Sequence, residues 1–210
     1  MTDYISITET NKLIRKVLKE SFPGVKFSVR GKSYAGGGST NIGWTDGPNV
    51  KQVESLISVF EGSYFDGMID YKGSRYGTLD GQDVHFMADF IFCNRDESIE
   101  LELRIISRIA NKYDIDADTG DIRDEFHNGS LYDVTPWGEQ CTGMSTLSMQ
   151  ATIRSALSKH TFCPFPKSSE TLARVKFSGD DGYGQGTVGR NGSGGNQGYS
   201  QVEQDSWAQS

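Results

Sequence analysis

The sequence has few cysteines and no long apolar run, and each shortage argues against a class of protein. Its three cysteines, Cys93, Cys141 and Cys163, are an odd number at wide spacings, which argues against a disulfide framework and is typical of free thiols in a reducing compartment. No stretch approaches the roughly 18–20 apolar residues of a membrane-spanning helix. The first residues also lack the basic-then-apolar order of a secretion signal. We therefore expect a soluble, cytoplasmic protein.

Apolar residues are also scarce, whereas glycine is abundant. The 210 residues are 35% hydrophobic, include 25 glycines and have a mean hydropathy of −0.51. This length suits a single domain with its own core, but the composition places part of the chain outside that core. Residues 178–210 are rich in glycine without apolar periodicity, so we expect a disordered, low-complexity tail there.

The charge is unevenly distributed along the chain. Residues 1–52 contain eight basic and four acidic side chains, a net charge of +4, and because the whole chain carries −7 the remaining residues carry −11. A basic region on an acidic protein can mark a surface that binds phosphate or an acidic partner. An uneven but merely solvated surface is the alternative explanation.

Apolar periodicity predicts an α+β fold. Helical spacing indicates four helices, around residues 10–22, 49–60, 96–113 and 144–159. Alternation indicates strands at 25–34 and 40–45, which form a hairpin, and at 84–93, which is the expected central strand. Residues 61–82 read as a loop or short irregular strands, and Asp118–Asp121 as a turn between two short strands. We expect a single two-layer α/β sandwich at residues 8–165, with a mostly antiparallel sheet and helices packed on one face.

The first candidate binding site is the basic face of the strand at residues 25–34. In a strand, alternate side chains share one face, and here that face is polar while Phe27 and Val29 point to the core. The residues on the polar face are Lys26, Ser28, Arg30, Lys32 and Tyr34. Cations beside an aromatic ring on an open sheet suit phosphates and bases, or an acidic protein. An ordinary solvated edge, whose lysines discourage aggregation, is the alternative.

The second candidate is the segment that follows the second predicted helix. It contains aromatic and apolar residues in a region without periodicity, where they can serve as exposed anchors for a partner. Its candidate binding residues are Tyr64, Phe65, Asp66 and Met68.

Metal sites are poorly supported by the spacing of the acidic and cysteine residues. Residues 114–125 have acids at several positions of a calcium loop, but Gly120 falls one position late for the sharp turn. His160 and Cys163 are at zinc-ligand spacing, but a second close pair is absent. We therefore expect no metal and no cofactor.

The sequence contains few candidates for catalytic motifs or catalytic residues. Gly36–Gly38 leads into a strand and no Lys-Ser/Thr pair follows, so a P-loop is excluded. Cys93 lies between a predicted strand and a helix, where a helix N-terminus could activate a thiolate. The simpler interpretation is a thiol that closes an apolar strand, and we expect no catalytic residues.

Three blocks of sequence resemble a known family. They are Leu13–Arg30 with Ser33-Tyr34, Ile42–Pro48, and Phe65–Asp70, in this order. Together they resemble the twenty-ninth of the large polyvalent protein-associated domains of phages and conjugative plasmids, over residues 9–95. Residues 96–165 would then be a C-terminal extension. The resemblance implies an accessory module of a mobile element, often embedded in giant proteins thought to accompany invading DNA and counter host defences. It implies no catalytic residues.

These observations together predict a non-enzymatic interaction protein of a phage or plasmid. We expect it to act in the host bacterial cytoplasm, on a host or element-encoded macromolecule, with a protein favoured over nucleic acid as the partner and no membrane involved. The resemblance adds a role in counter-defence. A single-stranded nucleic-acid-binding accessory protein is the second hypothesis, and an enzyme of unrecognised type is the third.

Overall fold

The computed structural model describes residues 2–141 and 147–183, which form two compact units. The first unit contains the described residues up to Arg95 and those from Cys163 onward, and the second contains Asp96–Phe162. The boundary between the units falls between Arg95 and Asp96, inside the span of residues 8–165 for which the sequence predicts a single domain. The chain then returns to the first unit at Cys163, which sequence patterns did not indicate.

The chain has an α+β fold with mostly antiparallel sheets, as predicted, and its strands lie in the first unit. The elements in chain order are β1 (Asp3–Ile5), α1 (Ile7–Ser21), β2 (Ser28–Tyr34), β3 (Gly37–Thr45), α2 (Val50–Ile57), β4 (Ser63–Asp66), β5 (Tyr71–Leu79), β6 (Gln82–Phe86), β7 (Phe90–Asp96), α3 (Ile99–Lys112), α4 (Thr119–Asn128), α5 (Met149–Lys159), α6 (Glu170–Ala173) and β8 (Val175–Asp180). Among the described helices, none is long and apolar enough to cross a membrane.

Helix ends in the first unit follow local sequence signals. Ser6 caps α1 and forms a capping box with Glu9, so the helix begins at Ile7, earlier than the predicted start near residue 10. It ends at Ser21, with Phe22 as its C-cap just before Pro23, as predicted. Asn49 caps α2 in the same reciprocal way with Gln52.

The first unit contains two sheets. In one, β2 and β3 form the predicted antiparallel hairpin, with Val29 opposite Ile42, and β7 pairs with the far edge of β3. The other sheet has the order β1-β6-β5-β4, and β8 pairs with β5 as well. Its β1 runs parallel to β6, whereas the remaining pairs are antiparallel.

One apolar core serves both sheets of the first unit. It is formed by α1, α2, the 3₁₀ turn that follows α2, and one face of each sheet. The largest fully buried side chains in it are Phe22, Phe60, Phe86, Ile14, Leu18, Ile42 and Ile57. Burial of this much apolar surface is the main favourable term in the stability of the unit.

The predicted central strand at residues 84–93 is wrong as a single element. It is two strands in different sheets, because the chain crosses between the sheets at residues 87–89. The amide of Met87 donates to Ile5, whereas the amide of Asp89 donates to Gly38 in the other sheet. Phe86 is therefore 2% exposed while Phe92 is 52% exposed, although their spacing predicts a shared face.

Two further segments differ from the prediction. Residues 61–82 contain regular strands, since β4 and β5 form a hairpin with Tyr64 opposite Gly73. The predicted turn at Asp118–Asp121 is instead the start of α4, where the Asp118 carboxylate accepts hydrogen bonds from the amides of Gly120 and Asp121. Aspartate favours turns and helix N-caps for the same reason, which explains the error.

The second unit packs three helices around a separate core. The predicted third helix is confirmed as α3, capped by Ser98, and the fourth as α5, capped by Ser148. Residues 144–146 of that predicted helix lie outside the described residues. The core comprises the buried side chains of Leu101, Ile105, Ile106, Ile109, Ala110, Ile122, Leu131, Met149, Ile153 and Leu157.

The predicted tail at residues 178–210 begins too early. Its first residues belong to β8, which pairs with β5 up to Asp180. The next residue, Asp181, accepts hydrogen bonds from the hydroxyls of Tyr64 and Tyr71 and from the amide of Ser74. Residues 184–210 lie outside the described part of the chain.

Asp181→Ala should therefore lower the free energy of unfolding by about 1–3 kcal/mol, because three buried or partly buried donors would lose their acceptor. Chemical denaturation followed by circular dichroism measures this loss. Asp83→Ala, at an exposed position of β6, removes the same charge and should change stability by less than about 0.5 kcal/mol. Equal effects of the two variants would contradict the packing of the segment after β8.

Candidate functional site

The three-stranded sheet has one covered face and one open face. On the covered face, the hydroxyl of Thr40 donates to Asn11 of α1 at 2.8 Å. A Cβ added at Gly31 or Gly38 would overlap the side chain of Ile7, so α1 lies directly against these strands. The alternate residues of β2, Ser28, Arg30 and Lys32, point away from α1 and face solvent.

The open face carries the middle of the predicted basic row. Ser28, Arg30 and Lys32 are all exposed on it, and Arg30 lies opposite Asn41 in the register of the hairpin. Among residues 2–141 and 147–183, neither Arg30 nor Lys32 forms an ion pair. Lys26 is exposed as well, but it precedes β2, so the strand does not fix it in the row.

Tyr34 differs from the rest of the predicted row, because its hydroxyl is already engaged. That hydroxyl lies 2.7 Å from the Oδ2 atom of Asp89, whereas the ring remains 45% exposed. Burial, together with the hydrogen bond to Asp89 and the negative charge there, raises the pKa of Tyr34 to about 12. The phenol is therefore protonated near neutral pH, and only its ring is available to a partner.

Asp89 is the centre of a polar cluster where the two sheets meet. Its carboxylate is 3% exposed and also accepts from the Ser63 hydroxyl and the Lys72 ammonium group, each at 2.7 Å. Burial by itself would raise the pKa of Asp89, but the hydrogen bonds from Lys72, Tyr34 and Ser63 outweigh it and lower the pKa. The cluster joins β2, β4 and β5 to the start of β7, so we interpret it as structural.

A strip of aromatic rings, two of them exposed and one half-buried, runs from the open face onto the neighbouring hairpin. Phe92 is 52% exposed, and its ring centroid lies 6.5 Å from that of Phe90. The Lys72 ammonium group lies 6.0 Å from the Phe90 centroid, and Lys72 is opposite Phe65 in the β4–β5 register. Phe65 is 57% exposed. We call Phe65, Lys72, Phe90 and Phe92 the aromatic strip.

The second predicted candidate segment is divided between buried and exposed residues. Tyr64 is buried against Asp181, and Asp66 is buried and accepts from the amide of Met68, so both have structural roles. Phe65 and Met68 are exposed, the latter by 86%, together with Ile69, which the sequence reasoning did not select. The tip of the β4–β5 hairpin thus extends the apolar surface of the strip.

The geometry gives little support to the alternatives of a catalytic thiolate or a metal site. Burial, with the negative charges of Glu54 and Glu61 adding to it, raises the pKa of Cys93 to about 12, which is the opposite of an activated thiolate. Asp118 of the calcium-like segment is used as a helix cap. Within residues 2–141 and 147–183, no group of three or more His, Cys, Asp or Glu side chains is arranged to hold a metal ion.

Comparison with known proteins finds one relationship. Residues 5–98 match the family model of large polyvalent protein associated domain 29. No curated protein and no solved structure matches the chain. The match identifies residues 5–98 as a polyvalent-protein-associated domain of the kind carried by phages and plasmids. The matched residues contain the whole open face and the aromatic strip.

Proposed function

We propose that this protein, whose residues 5–98 belong to the large polyvalent protein associated domain 29 family, binds an acidic segment of a partner protein. The observation that carries this proposal is the continuity of two surfaces. Arg30 and Lys32 lie on the same open face as Phe92, and the aromatic strip continues that face to the β4–β5 hairpin. The occupant is a protein segment with acidic and apolar side chains.

The apolar part of this surface favours a protein over a nucleic acid. Phe65, Met68 and Ile69 at the hairpin are exposed anchors of the kind that insert into pockets of a partner protein. The net charge of −7 opposes the approach of a polyanion, whereas a short acidic segment meets only the local positive field. The positive charge of the open face thus guides recognition of the acidic segment, and the exposed apolar side chains supply the surface that is buried on binding.

Single-stranded nucleic acid is the second candidate, and a specific observation favours it. Exposed rings and unpaired cations on one sheet face are the elements by which bases stack and phosphates are neutralised. The aromatic strip and Arg30 with Lys32 provide both elements. The two candidates differ in the salt dependence of binding.

We further propose that binding serves counter-defence in the host cytoplasm. The family match supports an origin in a phage or plasmid, in which accessory modules accompany the invading element. The three cysteines are free thiols, which fits a reducing compartment. The partner is then a host or element-encoded protein that the cell contains during infection or conjugation.

Charge reversal tests the proposed surface. The triple variant Lys26→Glu, Arg30→Glu, Lys32→Glu should lose binding of a fluorescent peptide that alternates Asp or Glu with Leu and Phe, while remaining folded, because surface substitutions usually change stability by less than about 0.5 kcal/mol. Fluorescence anisotropy measures binding and circular dichroism measures folding. Phe92→Ser should weaken binding about tenfold or more, because it removes an apolar anchor and no charge.

The matched control is Lys12→Glu, Lys19→Glu, Lys51→Glu, which makes the same change in net charge at exposed positions on α1 and α2. It should retain binding within about twofold, since distant exposed charges are screened by salt. Equal losses in the two triple variants would overturn the proposed surface. Binding of oligo(dT) in place of the peptide, with a salt slope that falls by about one unit for each cation removed, would replace the protein partner with nucleic acid.

A further inference from the structure

A cavity of about 400 Å³ lies within the second unit, outside the residues that match the family model. Its apolar lining includes Ile115, Ile122, Leu131, Val134 and Met149. This volume falls within the usual range for sites that bind small molecules or single peptide side chains. The cavity is distinct from the surface proposed above, and the inference below does not depend on that proposal.

A tight turn holds an exposed tryptophan at the rim of this cavity. The turn is closed by hydrogen bonds from the Thr135 amide to Glu139 and from the Gly138 amide to Thr135. Trp137, at its tip, is 49% exposed, and its indole N–H donates to the Glu139 carboxylate at 2.8 Å. The ring is thus fixed in position before any ligand arrives, which lowers the entropic cost of binding.

Acidic side chains border the same cavity. Asp114 and Glu125 line it, both are exposed, and neither forms an ion pair within residues 2–141 and 147–183. The second unit carries twelve acidic and six basic side chains, a net charge of −6. Lys112 of the same unit lies 5.1 Å from the ring centroid of Tyr113, and within residues 2–141 and 147–183 no cation lies over the Trp137 ring.

From this arrangement we infer that the cavity binds a basic peptide, with one arginine side chain against Trp137 and the neighbouring aliphatic side chain in the apolar part. An indole face is the best cation–π acceptor among side chains, and a guanidinium group both stacks on it and donates to carboxylates. Asp114 and Glu125 supply the carboxylates. The apolar lining supplies hydrophobic contact area for the peptide, which a site made only of charged groups would lack.

The test uses the full chain labelled with ¹⁵N and the blocked peptide acetyl-Ala-Leu-Arg-Leu-Ala-amide. Titration should shift the indole N–H signal of Trp137 to saturation, with the signal assigned from a Trp137→Phe variant. The same peptide with citrulline in place of arginine keeps the shape and loses the charge, so its affinity should fall by about tenfold or more. Asp114→Asn combined with Glu125→Gln should produce a similar loss.

The matched control is Asp116→Asn combined with Asp124→Asn, which removes two acids beside the cavity residues but outside its lining. It should bind the arginine peptide within about twofold of the wild type, since exposed charges contribute little unless they contact the ligand. Three outcomes would each overturn the inference: no saturable shift of the Trp137 signal in the folded protein, equal affinity for the arginine and citrulline peptides, or equal losses in the two double variants.

Discussion

Replacing Trp44 with alanine should lower the free energy of unfolding by about 3–5 kcal/mol, the range for removing a large aromatic side chain from a core. Trp44 is 3% exposed in β3 and its ring centroid lies 5.5 Å from that of Phe27. Its indole N–H donates to the carbonyl of Pro48 at 2.9 Å, so the variant also leaves that buried acceptor without its donor. Guanidinium denaturation followed by circular dichroism measures the loss.

The chain offers a matched control in Trp137, which is 49% exposed in the second unit. Trp137→Ala removes the same side chain and should lower the free energy of unfolding by less than about 1 kcal/mol, because it creates no cavity in a core. Trp44→Phe should fall between the two variants, since it retains most of the apolar contact. A loss for Trp44→Ala no larger than that for Trp137→Ala would show that Trp44 does not support the core.

The elements that the sequence predicted well are those set by neighbouring residues. The end of α1 before Pro23, the β2–β3 hairpin and the start of α2 at Asn49 all depend on signals within a few positions of the chain. Propensity, apolar spacing and turn chemistry agree at these places. Local agreement of this kind fixes an element before tertiary contacts form.

The predictions from sequence were wrong where the structure depends on contacts between residues that are far apart in the sequence. Residues 84–93 alternate as one strand does, yet the amides of Met87 and Asp89 pair with strands that are more than 80 and 50 residues away in the sequence, respectively. The crossing reverses the environment of the later residues, so Phe92 is exposed. No pattern within the segment indicates which strands lie beside it.

In the candidate site, too, the features set by local sequence were predicted and those set by distant contacts were not. Strand alternation correctly placed Ser28, Arg30 and Lys32 on one exposed face of β2. The sequence could not show that the Tyr34 hydroxyl is bound to Asp89, or that Phe92 lies on the same open face, because both facts depend on β7. The role of these residues in binding stays a prediction.

Gly62→Ala should destabilise the protein by about 3 kcal/mol or more, although it adds a single methyl group. An added Cβ at this position would overlap the backbone carbonyl oxygen of Phe86. Neither partner can move easily, because the Gly62 amide donates to Ala88 at 2.8 Å and its carbonyl accepts from the Arg75 amide at 2.8 Å. The clash therefore falls on the segment where the chain crosses between the two sheets.

Gly43→Ala is the matched control, since it makes the same chemical change in β3, where the nearest atom to an added Cβ is the Asn94 carbonyl oxygen at 3.9 Å. That variant should be neutral or slightly stabilising, because alanine restricts the unfolded chain more than glycine does. Thermal and chemical unfolding of the two variants should separate them by about 3 kcal/mol. Wild-type stability of Gly62→Ala would mean that residues 86–89 yield to the added methyl group, and that the contact between the sheets at this point is looser than their hydrogen bonds imply.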